Sequence, residues 1–337
     1  MPEYAISAEP IAPPRAPTST STRMPRGMRP VIAEALAELG DIHHELVVLA
    51  ADGRALALAF AERHPDRFID VGIAEANLMG VAAGLARGGH RVVVCGMAPF
   101  LVRRAAEQLR LDLCRPGLDV TVLGVGGGVG YGTLGATHHV PEDLGTLAQM
   151  PGTRVFCPAD VHDAAWAVRE AVLGGGPAYV RLGAREDPQV YDLETRFSAQ
   201  RPLLLGDPDT GAPGQALVVT AGATVAGALD AVAAVGPLGV SARVLALTAV
   251  SPFPRAALLD AAARADTVVT VEEHYAAAGL GAQTALSLAG HWRGRFRALA
   301  IDDRPAPVLD RTGLFRFYRI DSAAIVSALL DPNPLTE

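Results

Sequence analysis

The chain has 337 residues, half of them hydrophobic, 5% aromatic and 19% charged, with a formal net charge of -7. That balance argues against a nucleic-acid or anionic-membrane partner, and the length suits about two domains, each with a core of its own. No apolar run approaches the roughly 18–20 residues needed to span a bilayer, and three scattered cysteines, Cys95, Cys114 and Cys157, form neither a CxxC motif nor an even disulfide framework.

In chain order, residues 1–30 mix Pro, Ser, Thr, Arg and Glu without the apolar stretch of a secretory signal and read as a flexible tail of a cytoplasmic protein. A first domain is expected over 31–190. It begins with an amphipathic helix over 31–39 stopped by Gly40, and a continuous apolar strand over 45–51 ending at Asp52-Gly53. Helix 54–62, strand 68–71, helix 75–87, strand 91–95, helix 101–114 and strand 120–125 follow, and helix 164–173 with strand 178–182 close the domain. Residues 191–215, centred on Asp207-Pro-Asp-Thr-Gly-Ala-Pro-Gly214, read as a linker. A second, smaller domain over 216–337 repeats the alternation: strand 216–220, helix 224–235, strand 242–247, helix 254–264, strand 267–271 and a helix reaching 289. The fold class is α/β, two doubly wound domains with parallel sheets and right-handed crossovers.

Chemistry concentrates at Asp70-Val-Gly-Ile-Ala-Glu-Ala-Asn-Leu-Met-Gly80, a strand, a tight turn and a helix with Glu75 in its first turn. A first-turn acid can simply complement the helix dipole. Ile73, Ala74, Ala76 and Leu78 surround this one with apolar or small neighbours, a setting in which a carboxyl group can share a proton. The loop from Gly124 to Gly135 holds glycine at most alternate positions but lacks the lysine of a phosphate loop, so its glycines permit close backbone approach to a ligand or another polypeptide. It leads into Thr137-His138-His139, where His139 reads as structural. Arg181 and Arg185, at and beyond a strand end, either hold a substrate phosphate or carboxylate or are surface charges. Glu272-Glu273-His274 superficially suggests a metal site, but adjacent residues on a strand point in alternate directions, so no metal-binding residues are assigned.

The segment Arg67-Phe-Ile-Asp-Val-Gly-Ile-Ala-Glu-Ala-Asn-Leu-Met-Gly-Val-Ala-Ala-Gly-Leu-Ala86 resembles the part of transketolases that carries the glutamate facing the aminopyrimidine ring of thiamine diphosphate. Thr137-His138 and Val271-Glu-Glu-His-Tyr275 resemble further segments of that family, and the likeness extends from about residue 31 to residue 330. It implies a pyrimidine-binding domain followed by a transketolase C-terminal domain, with Glu75 protonating the ring nitrogen. It also implies that Ile73 and either Phe100 or Leu101 pack about the pyrimidine, with core filling the alternative for these last two, and that His138 faces the reacting carbons. The family's diphosphate-binding domain, with its magnesium ligands, has no counterpart here. The resemblance therefore implies one half of a split transketolase, with Mg²⁺ on a separate N-terminal-half subunit and two copies of each chain. Leu134, Gly126 and Ala106 depart from residues many relatives carry, which argues against an ordinary pentose phosphate substrate. The alternatives are a β-type subunit of a 2-oxoacid dehydrogenase and a non-catalytic scaffold.

Overall fold

The computed structural model describes residues 27–184, 187–206 and 215–331. Arg185 lies outside these residues. In the first half, helix α1 (Met28–Ile42) leads to strand β1 (Leu46–Ala50), α2 (Arg54–Arg63), β2 (Phe68–Asp70), α3 (Glu75–Arg87) and β3 (Arg91–Met97). A helical stretch from Phe100 to Cys114 contains α4 (Ala106–Gln108) between two wider turns, in one of which the Ala105 N–H donates to the Phe100 carbonyl. Then come β4 (Val120–Val125), α5 (Asp143–Ala148), β5 (Arg154–Phe156), α6 (Val161–Leu173) and β6 (Ala178–Leu182).

The strands form one sheet in the order β5-β6-β4-β3-β1-β2, all parallel. Parallel strands are covered on both faces, which is why β1 reads as an unbroken apolar run. Leu46, Val48 and Ala50 face α1, α2 and α6, while Val47 and Leu49 face α3 and the 100–114 helix. The first helix begins before the expected boundary at residue 31. Met28 is buried, and its sulfur accepts a hydrogen bond from the Gly183 N–H at 3.2 Å, so residues 28–30 belong to the domain rather than to a tail.

The second half comprises β7 (Leu203–Leu205), β8 (Gln215–Ala221), α7 (Thr224–Val235), β9 (Ala242–Leu247), β10 (Ala249–Ser251), α8 (Arg255–Ala262), β11 (Ala265–Tyr275), α9 (Leu280–Leu288), β12 (Arg295–Ile301), α10 (Arg311–Phe317) and α11 (Ser322–Leu330). Its sheet runs β12-β11-β8-β9-β7, parallel except for β7. Two expectations change here. The described part of the 191–215 stretch is not a linker, because Tyr191 is buried in the second core and β7 is an edge strand of the second sheet. The two halves also interlock: β10 leaves the second unit and pairs antiparallel with β5, extending the first sheet to seven strands. Among the described residues, no helix is long and apolar enough to cross a membrane.

Candidate active site

In the first sheet the chain steps from β1 outward to β2 and then back across β1 to β3. Loops at the carboxyl ends of strands diverge at such a reversal and leave a crevice, the usual ligand site of open parallel sheets. The loops after β2, β3 and β4 carry Glu75, Phe100 and His138 to this edge.

Glu75 is set by a local turn. Asp70 Oδ1 accepts the Gly72 N–H at 2.9 Å, and Gly72 adopts a φ of 72°, a left-handed conformation that suits glycine. The chain thereby turns into α3 with Glu75 as its first residue, only 3% exposed. The largely apolar surroundings expected from the sequence include one cation. Arg104 Nη1 donates to Glu75 Oε2 at 2.7 Å, while the Arg104 side chain remains 50% exposed.

Phe100 and Arg104 share one face of their helical stretch, because the wide turn between them closes five residues apart. The Arg104 guanidinium lies 4.6 Å from the centre of the Phe100 ring. Phe100 in turn meets the His138 imidazole edge-on with centroids 5.5 Å apart, and the Tyr131 ring also meets His138 edge-on at 6.0 Å. Thr137 Oγ1 lies 3.0 Å from His138 Nδ1, and Arg29 Nη2 donates to the Tyr131 hydroxyl at 2.9 Å. Glu75, Arg104, Phe100, His138, Tyr131 and Arg29 thus form one continuous line of contacts. Arg104, Tyr131 and Arg29 were not expected from the sequence. Nothing in their spacing marks them, since each acquires its place through residues distant in the chain.

Other expected residues go elsewhere. Leu101 is fully buried among α3 and β3 residues, so it fills the core and does not face a ligand. Ile73 is 70% exposed, and Ile69 is also exposed. Arg181 is not a substrate arm. It is buried, and its Nε and Nη2 pair with Asp143, while Nη1 and Nη2 also donate to the carbonyls of Glu273 and Pro141. The Tyr179 hydroxyl donates to the same Asp143 at 2.7 Å. His139 turns partly inward beside His138, and burial lowers its pKa.

The glycine loop serves this buried cluster. A side chain at Gly127 would stand 2.5 Å from Asp143 Oδ2, and one at Gly128 would stand 2.5 Å from the Glu273 carboxyl carbon. One at Gly126 would collide with the Tyr131 ring. The close approach expected of these glycines is therefore made to groups of the same chain. Glu272, Glu273 and His274 each bond to groups of the same chain. Glu272 accepts the N–H groups of Leu280 and Gly281, Glu273 accepts those of Val129 and Arg311, and His274 Nε2 accepts that of Gly145. Among the described residues no group of three or more His, Cys, Asp or Glu is arranged to hold a metal ion.

A buried acid at the carboxyl edge of a doubly wound parallel sheet, followed in the chain by a second α/β unit, defines a two-unit α/β protein with a candidate ligand crevice at a topological switch point. The transketolase pyrimidine binding domain matches residues 25–187 and the transketolase C-terminal domain matches residues 212–325. The chain belongs to the transketolase family. It is 34% identical over 306 residues to one of the subunits of the apulose-4-phosphate transketolase of Phocaeicola vulgatus, covering 90% of this chain and 96% of that one. It is 31% identical to a 6-deoxy-6-sulfo-D-fructose transketolase subunit of a Clostridium species, covering 82% of this chain and 85% of that one. Among solved structures, a split gene transketolase described as an inactive beta4 tetramer superposes with a TM-score of 0.80 at 32% identity, covering 90% of this chain and 97% of that one.

Proposed function

We propose that this chain is the subunit of a split, thiamine diphosphate-dependent transketolase that supplies the aminopyrimidine site, and that it transfers a two-carbon ketol unit together with a separate subunit. The observation that carries the reading is Glu75, a carboxyl group only 3% exposed in a cleft that also holds Phe100 and His138. When bound, the cofactor supplies the electron sink for breaking and remaking a carbon–carbon bond beside a ketose carbonyl. Glu75 holds a proton against the ring nitrogen, a task that requires an acid and that an amide of the same shape cannot perform. Phe100 would offer an aromatic face to the ring. The His138 imidazole exchanges protons with substrate hydroxyl and carbonyl oxygens, its ring oriented by Thr137 and by two edge-on aromatic neighbours.

Arg29 supplies a cation at the far end of this line, suited to the anionic terminus of a sugar. The names of the relatives mention a phosphate in one case and a sulfonate in the other, which supports an anionic donor or product. Arg185, outside the described residues, stays a candidate for the same anion. Mg²⁺ and the diphosphate are assigned to the partner chain, because the likeness covers the pyrimidine-binding and C-terminal domains and not the family's diphosphate-binding domain. The exposed apolar edge of Ile69 and Ile73 beside Glu75 fits a surface that the partner covers, in an assembly of two copies of each chain. Three free, buried cysteines fit a reducing, cytoplasmic setting.

Co-expression with the complementary subunit and an assay of ketose cleavage test the proposal. Glu75→Gln should lower turnover about 10²–10⁴-fold while leaving the melting temperature of the complex in place. Unchanged turnover would favour a scaffold role. Decarboxylation of a 2-oxoacid with no ketose cleavage would favour the dehydrogenase reading.

A further inference from the structure

Arg104 makes two contacts at once: its guanidinium donates to Glu75 at 2.7 Å and stacks over Phe100 at 4.6 Å. Under the proposed function these are the two groups that the aminopyrimidine ring needs, a carboxylate at its edge and an aromatic face beneath it. A guanidinium is flat, delocalised and cationic, presents N–H donors along its rim and stacks well on aromatic rings. A protonated aminopyrimidine has the same properties. The wide helical turn that puts Phe100 and Arg104 on one face brings the cation to this place, and its half-exposed side chain has solvent into which it can swing.

We propose that Arg104 is a placeholder, seated on Glu75 and Phe100 in the subunit without its cofactor and displaced when the aminopyrimidine ring arrives. The inference rests on Glu75 being the ring's partner. Its consequence is a built-in threshold: binding energy contributed by the second subunit at the diphosphate end must first dislodge Arg104. A half-exposed ion pair and one cation–π contact are each modest. Together they favour the closed seat by about tenfold, and ligand affinity falls by the same factor.

The test uses the full-length chain alone and the free pyrimidine fragment of thiamine, 4-amino-5-hydroxymethyl-2-methylpyrimidine, which needs no diphosphate site. Binding is read by calorimetry or saturation-transfer NMR for the parent chain, Arg104→Ala, Arg104→Lys and the double variant Arg104→Ala/Glu75→Ala. Arg104→Ala should bind the fragment about tenfold more tightly than the parent. Arg104→Lys, which keeps the ion pair but lacks the flat plane, should fall between them, and the double variant should lose the gain. Because Arg104 is half exposed, its truncation leaves the core untouched, and an unchanged melting temperature verifies this. No gain in Arg104→Ala, including no measurable binding by any variant, overturns the placeholder. If the double variant binds as tightly as Arg104→Ala, the assignment of Glu75 to the ring fails instead.

Discussion

Two arginine–carboxylate pairs in this chain have opposite characters. Arg181 and Asp143 are 5% and 0% exposed and are enclosed by the Tyr179 hydroxyl, two backbone carbonyls and the glycine loop. Arg104 and Glu75 are 50% and 3% exposed, joined by a single hydrogen bond, with the arginine turned toward solvent. The enclosed pair belongs to a network that continues through Glu273 and Arg311 to Asp187 and so ties the second unit to the first. The open pair lines a cleft. A buried ion pair whose hydrogen-bonding groups are met inside the chain has no capacity left for a ligand. A pair with one half in solvent can change partners.

The comparison can be broken by deleting one carboxylate from each region. Asp143→Ala strands Arg181 in an interior where an uncompensated charge costs on the order of 3–5 kcal/mol. It also removes the acceptor of the Tyr179 hydroxyl. Denaturant unfolding should show a loss of that size, or no folded chain at all. Glu75→Ala leaves Arg104 free to turn to water and should cost under about 1 kcal/mol. Equal losses at the two sites would erase the distinction between a structural and a functional pair.

A second contrast lies within one dipeptide. His138 stands between Phe100 and Tyr131, whereas His139 turns partly into the protein. His138→Ala should lower kcat/KM of the assembled enzyme about 10²-fold, the lower range for loss of a proton-transferring group, without shifting the unfolding midpoint. His139→Ala should shift the midpoint and leave kcat within about threefold, because its ring contributes packing rather than proton exchange. A reversed pattern would move the proton-exchange role one residue along the chain.

How much of this was legible in the sequence depended on whether the deciding interaction was local. Helix α3 was delimited to the residue because its signals, the turn at Gly72 before it and the apolar periodicity within it, are local. The apolar run of β1 announced burial on both faces by itself. Phe100 and Leu101 could not be separated, since adjacent helical residues point about 100° apart and only the position of α3 determines which side is the core. Arg181 was ambiguous and Arg104 unmarked for the same reason: their carboxylates lie 38 and 29 residues away in the chain. Strand β10 has three residues, too few for a period to show, and its partner β5 lies nearly a hundred positions earlier. The cores and helix ends were therefore readable, while the partners of the charged groups were fixed by topology.

A pH effect sharpens the enclosed side of the comparison. Glu272 sits beside the network on β11 and accepts the N–H groups of Leu280 at 2.5 Å and Gly281 at 2.8 Å. Burial nevertheless pushes its carboxyl up from 4.5 to about 7, outweighing these two bonds. The folded chain therefore keeps a proton there that the unfolded chain has released. The resulting stability is fully present below pH 4.5 and is lost as pH rises through about 7. His274, two positions on, has the opposite sign: burial lowers its pKa from 6.5, so its contribution is lost as pH falls below that value. Glu272→Gln removes only the first effect. Compared at pH 5 and pH 8, the parent should lose on the order of 1–3 kcal/mol more than the variant. Parallel unfolding profiles across that window would mean that the two backbone N–H groups keep the carboxylate ionised throughout. Glu272 would then behave as an ordinary helix-capping acid rather than as a member of the buried set.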